Sequence, residues 1–192
     1  LTYRLTSQRC DRFSAEAVLR PGESFAVGGR HWQALAAPGH DPHSLILFDR
    51  QDGVLISADA LWENGFGVIF PELEGASGFA EQQAVLDRIS ALAPRIVIPG
   101  HGAAFADCGA ALEAAYRRLE YLRSDPQRNA RHAAKVLIKF WLLDVRSTTM
   151  QRLHRHFART DYLRLIQRRY FPRLDLAQMI ASYVDELVRA GA

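Results

Sequence analysis

The fold is decided by residues 34–48, ALAAPGHDPHSLILF, together with their counterpart at residues 94–105, PRIVIPGHGAAF. In each stretch a short apolar run ends in Pro-Gly-His, at residues 38–40 and 99–101. Proline fixes φ and glycine adopts backbone angles that other residues avoid, so each pair ends a strand and turns the chain sharply. The histidine that follows is presented on a loop held by rigid structure, which is a good place for a ligand-binding imidazole.

A carboxylate follows a third apolar run in the same way. The segment GVLISADAL, residues 53–61, places Asp59 directly after a predicted strand. A charge at the rim of a sheet needs a partner or a cation; the alternative is the N-cap of a following helix. Together, His40, Asp59 and His101 make a nitrogen and oxygen set suited to zinc, manganese or iron.

The first hundred residues show the pattern of short strands and turns. The runs AVLR, SFAV, HWQALAA, SLILFD and GVLISAD predict antiparallel strands over residues 16–58, with a hairpin turn at Asp52-Gly53. A Gly-rich loop over 62–78 follows, and its aromatic residues either border a cleft or pack as core. Helical spacing in FAEQQAVLDRISALA and a short strand at RIVI come next, and the pattern is helical from residue 109 onward.

Length and composition indicate one substantial domain with an appendage. The chain has 192 residues, of which 48% are hydrophobic and 23% charged, as in an ordinary globular protein. We expect a domain over residues 1–108 and a helical region over 109–192. Leu1, which is not an initiator methionine, leads us to expect a fragment or a processed chain.

Nothing in the sequence predicts a membrane span or an oxidising compartment. The apolar stretch VLIKFWLLDV is interrupted by Lys139 and Asp144, and the first residues lack the layout of a secretory signal. Cys10 and Cys108 show no paired spacing. We therefore expect ordinary thiols and a cytoplasmic protein.

Charge is divided unevenly along the chain. Residues 1–111 carry a net charge of −5, whereas residues 112–192 carry +8. A basic C-terminal third could bind nucleic acid. The alternative is a solvated face of Arg-rich helices, since arginine is also a good helix former.

The order strand, PGH, hairpin, SAD, loop, helix, strand, PGHG resembles the second half of the metallo-β-lactamase superfamily over residues 16–105. His40, Asp59 and His101, which are 19 and 42 residues apart, occupy the places of three of its metal ligands. The resemblance implies an α/β (α+β) fold, the second half of an αββα sandwich. The helical tail is more weakly similar to the winged-helix-like C-terminal extension of some members.

The same resemblance implies a metal-dependent hydrolase with two divalent metals, zinc or alternatively manganese or iron. His40 would bind the first metal and His101 the second, with Asp59 bridging them. Two cations lower the pKa of a shared water, so no catalytic residue separate from the metal site is expected. The implied substrates are small-molecule esters, thioesters or lactones. A nucleic-acid-binding protein and a non-catalytic assembly protein are the alternatives.

The sequence departs from the family pattern upstream of these ligands. The family's His-x-His-x-Asp-His motif is absent, and His154 and His156 in RLHRHF do not replace it because residues i and i+2 of a helix point apart. With half of the ligands missing, we expect the chain alone to bind metal weakly and to hydrolyse little. Completion of the half-sandwich by another chain would make a homo-oligomer.

Further departures lie beside the ligands themselves. Asp41 and His43 stand where the family has a small polar residue and a glycine; both are candidates for supporting or cleft-lining groups, as is Trp62. His43 could equally be a plain surface residue. Ala58 precedes Asp59 where glycine is usual, and we expect it to crowd the turn.

Overall fold

The computed structural model describes residues 14–191, which form two compact units. The first unit is Ala15–Ser124 and the second begins at Asp125. Strand runs predicted from the sequence are confirmed at five of six places. The exception is AVLR, which has no regular structure, so the sheet begins at SFAV.

The first unit is built on a five-stranded sheet of order β1-β2-β3-β4-β5. Strands β1 to β4 pair antiparallel, whereas β5 pairs parallel to β4. The strands are β1 (Ser24–Val27), β2 (Arg30–Ala36), β3 (Leu45–Asp49), β4 (Val54–Ala58) and β5 (Ile96–Pro99). The hairpin turn expected at Asp52-Gly53 is present, with Gly53 at a positive φ of 65°.

Three helices complete this unit: α1 (Phe70–Glu74), α2 (Phe79–Leu92) and α3 (Cys108–Arg123). One face of the sheet packs on α2 and α3 through a core that includes Phe48, Leu55, Val97, Leu86 and Leu119. The apolar spacing predicted for α2 is confirmed, since Phe79, Val85, Leu86 and Ile89 are all buried.

The segment predicted as a loop over 62–78 is more ordered than expected. It contains α1, and residues 65–69 are buried. Glu72 explains part of this order, because its Oε1 accepts hydrogen bonds from the backbone N–H groups of Gly78 and Phe79 at the start of α2. The expectation of an irregular loop was wrong because a side chain from inside it caps the next helix.

The second unit is helical, as expected. Its described residues form α4 (Pro126–Val145), α5 (Met150–Phe157), α6 (Asp161–Tyr170) and α7 (Leu176–Arg189), with no strand among them. Thr149 and Asp175 cap α5 and α7, each accepting from a backbone N–H of the first turn. No helix in the described part of the chain is long and apolar enough to cross a membrane.

The domain boundary expected at residue 108 remains a prediction. In the structure, α3 belongs to the first unit and packs against α2, with Leu119 and Leu122 in the core. These contacts favour a boundary one helix later, at the Ser124–Asp125 junction. Cys108, at the start of α3, is a buried free thiol, while Cys10 lies outside the described residues.

Candidate metal centre

Three strands end at one edge of the sheet, and each is followed by a candidate ligand. Because β2 and β4 are both antiparallel to β3, and β5 is parallel to β4, the carboxyl ends of all three lie together. His40 follows β2, Asp59 follows β4 directly, and His101 follows β5. The topology therefore brings together three residues that are up to 61 positions apart in sequence.

His40 is held in one orientation. Its Nδ1 lies 2.6 Å from the carbonyl oxygen of Val68, and its ring meets Phe70 edge-to-face at 5.3 Å between centroids. A carbonyl only accepts, so Nδ1 carries the hydrogen and, in the neutral ring, the lone pair is on Nε2. This is how proteins fix a metal-binding imidazole, with one nitrogen tied to a hydrogen-bond acceptor and the other free.

Asp59 lies between the two histidines. Its Oδ2 is 3.4 Å from Nε2 of His40, and its Oδ1 is 3.7 Å from Nε2 of His101. The indole Nε1–H of Trp62 donates to Oδ1 at 3.1 Å. The alternative role as a helix N-cap is wrong, because the next helix begins only at Phe70 and its N-cap position is Ile69.

His101 is the most exposed of the three, with 57% of its side chain accessible against 24% for His40. Its ring packs edge-to-face on Trp62, with centroids 5.1 Å apart. Trp62 therefore contacts both Asp59 and His101, which places this predicted cleft residue beside two of the candidate ligands.

The spacing of His40 and Asp59, at 3.4 Å, is that of two ligands on one ion, whereas the spacing of Asp59 and His101, at 3.7 Å, is longer. Both N···O separations are long for a direct hydrogen bond. Two ligands bound to one zinc at about 2.0–2.1 Å in tetrahedral geometry lie about 3.3–3.4 Å apart, close to the His40–Asp59 separation. The lone pair of Nε2 and the carboxylate oxygen are both acceptors, so a cation between them resolves the arrangement.

Two glycines make this close approach feasible. A Cβ at Gly67 would lie 2.6 Å from Nδ1 of His40, and one at Gly100 would lie 2.7 Å from Oδ1 of Asp59. Gly100 of the second Pro-Gly-His is thus needed for space, whereas Gly39 of the first also has a positive φ of 144°. The sequence suggested that Gly39 and Gly100 are needed for their backbone freedom. In the structure, both positions also lack room for a side chain.

The turn that carries Asp59 is strained, as the sequence led us to expect. Ala58 has a φ of 47°, in the left-handed region, and the β4–β5 register shifts at this point. The amide of Gly100 donates to the carbonyl of Ala58 at 2.7 Å, and the amide of Gly67 donates to that of Asp59 at 2.9 Å. These two bonds hold the strained turn in place.

Asp41 and His43 support the first turn through the backbone. Oδ1 of Asp41 accepts from the amide of His43 at 2.8 Å, closing an Asx turn just after His40. His43 is exposed. A direct role of either side chain at the metal centre remains a prediction.

Sequence reasoning missed the residues that contact the candidate ligands or their turns from segments distant in the sequence. Gly67, Val68 and Gln82 belong to a loop and a helix whose contacts with the site depend on tertiary packing. Only the glycine content of the 62–78 segment could have hinted at one of them.

The described residues hold no group of three or more His, Cys, Asp or Glu side chains arranged around a single ion. The candidate ligands instead form two pairs that share Asp59. His154 and His156 lie on helix α5, in the helical region where no ligand pair was expected.

Comparison with known proteins places these features in a family. A sequence profile of the Metallo-beta-lactamase superfamily matches residues 4–101. The chain is 31% identical over 113 residues to the Probable metallo-hydrolase YqjP of Bacillus subtilis, covering 56% of this chain and 33% of that protein.

Solved structures of the same family are similar to the chain. The metallo-beta-lactamase family protein TTHA1429 of Thermus thermophilus matches 91% of this chain and 49% of its own, with a TM-score of 0.46 and 21% identity. TTHA1623 in a di-iron-bound form matches 50% of this chain and 46% of its own, with a TM-score of 0.40 and 26% identity.

The chain thus spans a third of the length of YqjP and about half of these structures. The profile match covers half of the chain and includes all three candidate ligands. The chain belongs to the metallo-beta-lactamase superfamily.

Proposed function

We propose that this chain supplies one side of a two-metal hydrolytic site, with His40, Asp59 and His101 as the ligands. The single observation that carries the proposal is the position of Asp59, whose two oxygens face the two imidazole Nε2 atoms at 3.4 and 3.7 Å. Zinc suits this nitrogen and oxygen set, with manganese and iron as alternatives.

Bound divalent metals would lower the pKa of a water and polarise the scissile bond of a substrate. The chain's own residues orient that centre. Val68 fixes the His40 ring and its tautomer, while Trp62 holds Oδ1 of Asp59 and packs on His101. Small-molecule esters, thioesters or lactones are the proposed substrates.

Alone, the chain offers two ligands to each ion, and its sequence lacks the His-x-His-x-Asp-His motif. We therefore expect weak metal binding and little hydrolysis without further ligands from other residues. The sheet face opposite α2 and α3 supports completion by a second layer. On that face, Ile96 and Ile98 of β5 are 44% and 41% exposed, and Ile98 is paired with Ile56 of β4. A second copy of the chain is one source of such a layer.

Equilibrium dialysis against Zn²⁺ tests the proposal, with His40→Ala and His101→Ala as paired variants. The chain should bind zinc weakly, and each substitution should lower the bound zinc. A mixture with a polypeptide that supplies the missing motif should bind zinc more tightly and hydrolyse a thioester or lactone. If neither the chain nor the mixture binds zinc, manganese or iron, the metal-site proposal is wrong.

A second candidate function, nucleic-acid binding, is favoured by the helical unit. Helices α5 and α6 are joined by three residues, and α6 buries Tyr162, Leu163 and Ile166 while Arg164, Arg168 and Arg169 are exposed. Arginines on the outer face of the second helix of such a pair suit phosphate contacts. A mobility-shift series should show affinity that falls steeply with salt. Absent or salt-independent binding would exclude this function.

A cytoplasmic location also remains a prediction.

A further inference from the structure

We infer that Gln82 is a positioning residue that sets the separation of the His40 and Asp59 turns, an inference that rests on the proposed function. Gln82 lies in the first turn of α2, is fully buried, and is not a candidate ligand. Its side chain contacts the backbone of both turns, one residue away from each ligand.

On the Asp59 side, Gln82 anchors the turn by a hydrogen bond. Its Nε2–H donates to the carbonyl oxygen of Ala60 at 2.8 Å, in a fully buried contact. Ala60 directly follows Asp59, and its own amide donates to Ser57 across the turn at 3.0 Å. The Gln82 side chain thus holds the far end of the strained turn that aims the carboxylate.

On the His40 side, Gln82 sits directly against glycine. A Cβ built at Gly39 would lie 2.5 Å from Oε1 of Gln82 and 3.2 Å from its Cα. Helix α2 therefore packs on the backbone that immediately precedes His40, and any side chain at position 39 would push the two apart.

Oε1 of Gln82 is buried and has no hydrogen-bond partner. Exchanging the amide oxygen and nitrogen would set two oxygens against each other at Ala60, so the hydrogen bond fixes the orientation. A buried acceptor without a partner costs folding free energy, and an apolar side chain of similar shape would avoid that cost. The amide donor satisfies the buried carbonyl of Ala60 and leaves its own oxygen without a partner, so the side chain joins the Asp59 turn by a hydrogen bond and meets the His40 turn by packing alone.

The consequence is specific to one ligand pair. Gln82 touches the turns of His40 and Asp59, whereas His101 follows β5 and is contacted by Trp62. Loss of the amide should therefore change the His40–Asp59 pair, with its 3.4 Å separation, more than the Asp59–His101 pair.

The test compares Gln82→Met with Gln83→Met in the full 192-residue chain. Gln83 is the matched control, because it is the same residue type on the same helix and its amide donates to Asp87 instead of to a ligand turn. Zn²⁺ titration should show about a 10–100-fold loss of affinity for Gln82→Met, as for other supporting partners of ligands. Gln83→Met should bind zinc like the wild type. Thermal unfolding should show both variants folded, with a lower midpoint for Gln82→Met because the buried carbonyl of Ala60 loses its donor.

A metal-free readout separates this inference from the proposed function. In ¹⁵N NMR spectra without metal, Gln82→Met should shift the ring signals of His40 and the amides of residues 59–61, and leave the ring signals of His101 in place. Gly39→Ala, which perturbs the same contact from the other side, should shift the same signals. Wild-type zinc affinity in Gln82→Met, or unshifted His40 and 59–61 signals in both variants, would overturn the inference. If the wild-type chain binds no zinc while these shifts occur, the proposed function fails and the positioning role stands.

Discussion

The two Pro-Gly-His turns have the same sequence and hold their histidines differently. His40 is part-buried, with its Nδ1 hydrogen-bonded to Val68 and its ring against Phe70. His101 is exposed and packs on Trp62. The same three residues therefore place an imidazole at a strand end, but the segment between Trp62 and Phe70 decides how firmly each imidazole is held.

Removing the shared carboxylate should abolish the site on both sides, and this is the largest expected effect. Asp59→Asn keeps the size of the side chain but removes the charge that faces both imidazoles. We expect zinc affinity to fall by more than about 100-fold, beyond what loss of an outer-shell partner costs. Isothermal titration calorimetry checks this, with Glu63→Gln on the same loop as the control. Wild-type affinity in Asp59→Asn would contradict the assignment.

Crowding the His40 side of the site should disturb it without replacing a candidate ligand. Gly67→Ala places a Cβ 2.6 Å from Nδ1 of His40, so the ring must move away from Val68. We expect a loss of about 1–3 kcal/mol in the free energy of unfolding, together with weaker zinc binding. Gly109→Ala, on helix α3 with its nearest contact at 3.7 Å, is the control and should be neutral or stabilising. Equal stability of the two variants in urea unfolding would show that position 67 has room for a Cβ beside His40.

Truncating each histidine should sharpen the difference between the two turns. His40→Ala leaves the buried carbonyl of Val68 without its partner and should cost about 1–3 kcal/mol of unfolding free energy. His101→Ala, at an exposed position, should cost less than about 0.5 kcal/mol. Denaturant unfolding without metal measures both values. A larger loss of unfolding free energy for His101→Ala than for His40→Ala would contradict the prediction.

Relieving the strained turn at Ala58 should have a smaller effect on the free energy of unfolding, and should raise it instead of lowering it. Ala58 is held at a φ of 47°, which glycine adopts freely. Ala58→Gly should therefore raise the free energy of unfolding by roughly 0.5–1 kcal/mol. Ala60→Gly is the control: it removes a buried methyl group without relieving strain, and it should lower stability. Destabilisation by Ala58→Gly would show that the turn carries no such strain.

The smallest expected effect is on the pH dependence of stability, and it arises in the helical unit, which contains no candidate ligand. Burial, aided by the positive charge of Arg152 and opposed by Asp144, lowers the pKa of His156 below its ordinary value of 6.5. The folded chain then binds this proton less readily than the unfolded chain, so stability is lost as the pH falls below about 6.5. The loss of thermal stability between about pH 7.5 and 5.5 should be smaller in His156→Phe than in the wild type. Identical losses in the wild type and in His156→Phe would contradict the prediction.

The strand ends and the three candidate ligands could be predicted from the sequence because they depend on local signals. Pro-Gly breaks a strand wherever it occurs, and an apolar run that finishes in Asp59 marks a sheet edge. The contacts of Gly67 and Gln82 could not be predicted, since they involve atoms that approach from segments distant in the sequence. The order in the 62–78 segment was missed for the same reason, because it depends on Glu72 capping a helix six residues later.

The central claim is that His40, Asp59 and His101 together bind divalent metal. Titration of the ¹⁵N-labelled 192-residue chain with Mn²⁺ tests it most directly, because a paramagnetic ion broadens only the signals near it, even when binding is weak. We expect the amides of residues 39–41, 59–60, 67–68 and 100–102 to broaden first, and Asp59→Asn to abolish this pattern. Broadening that begins around His154 and His156, or that is uniform along the chain, would contradict it.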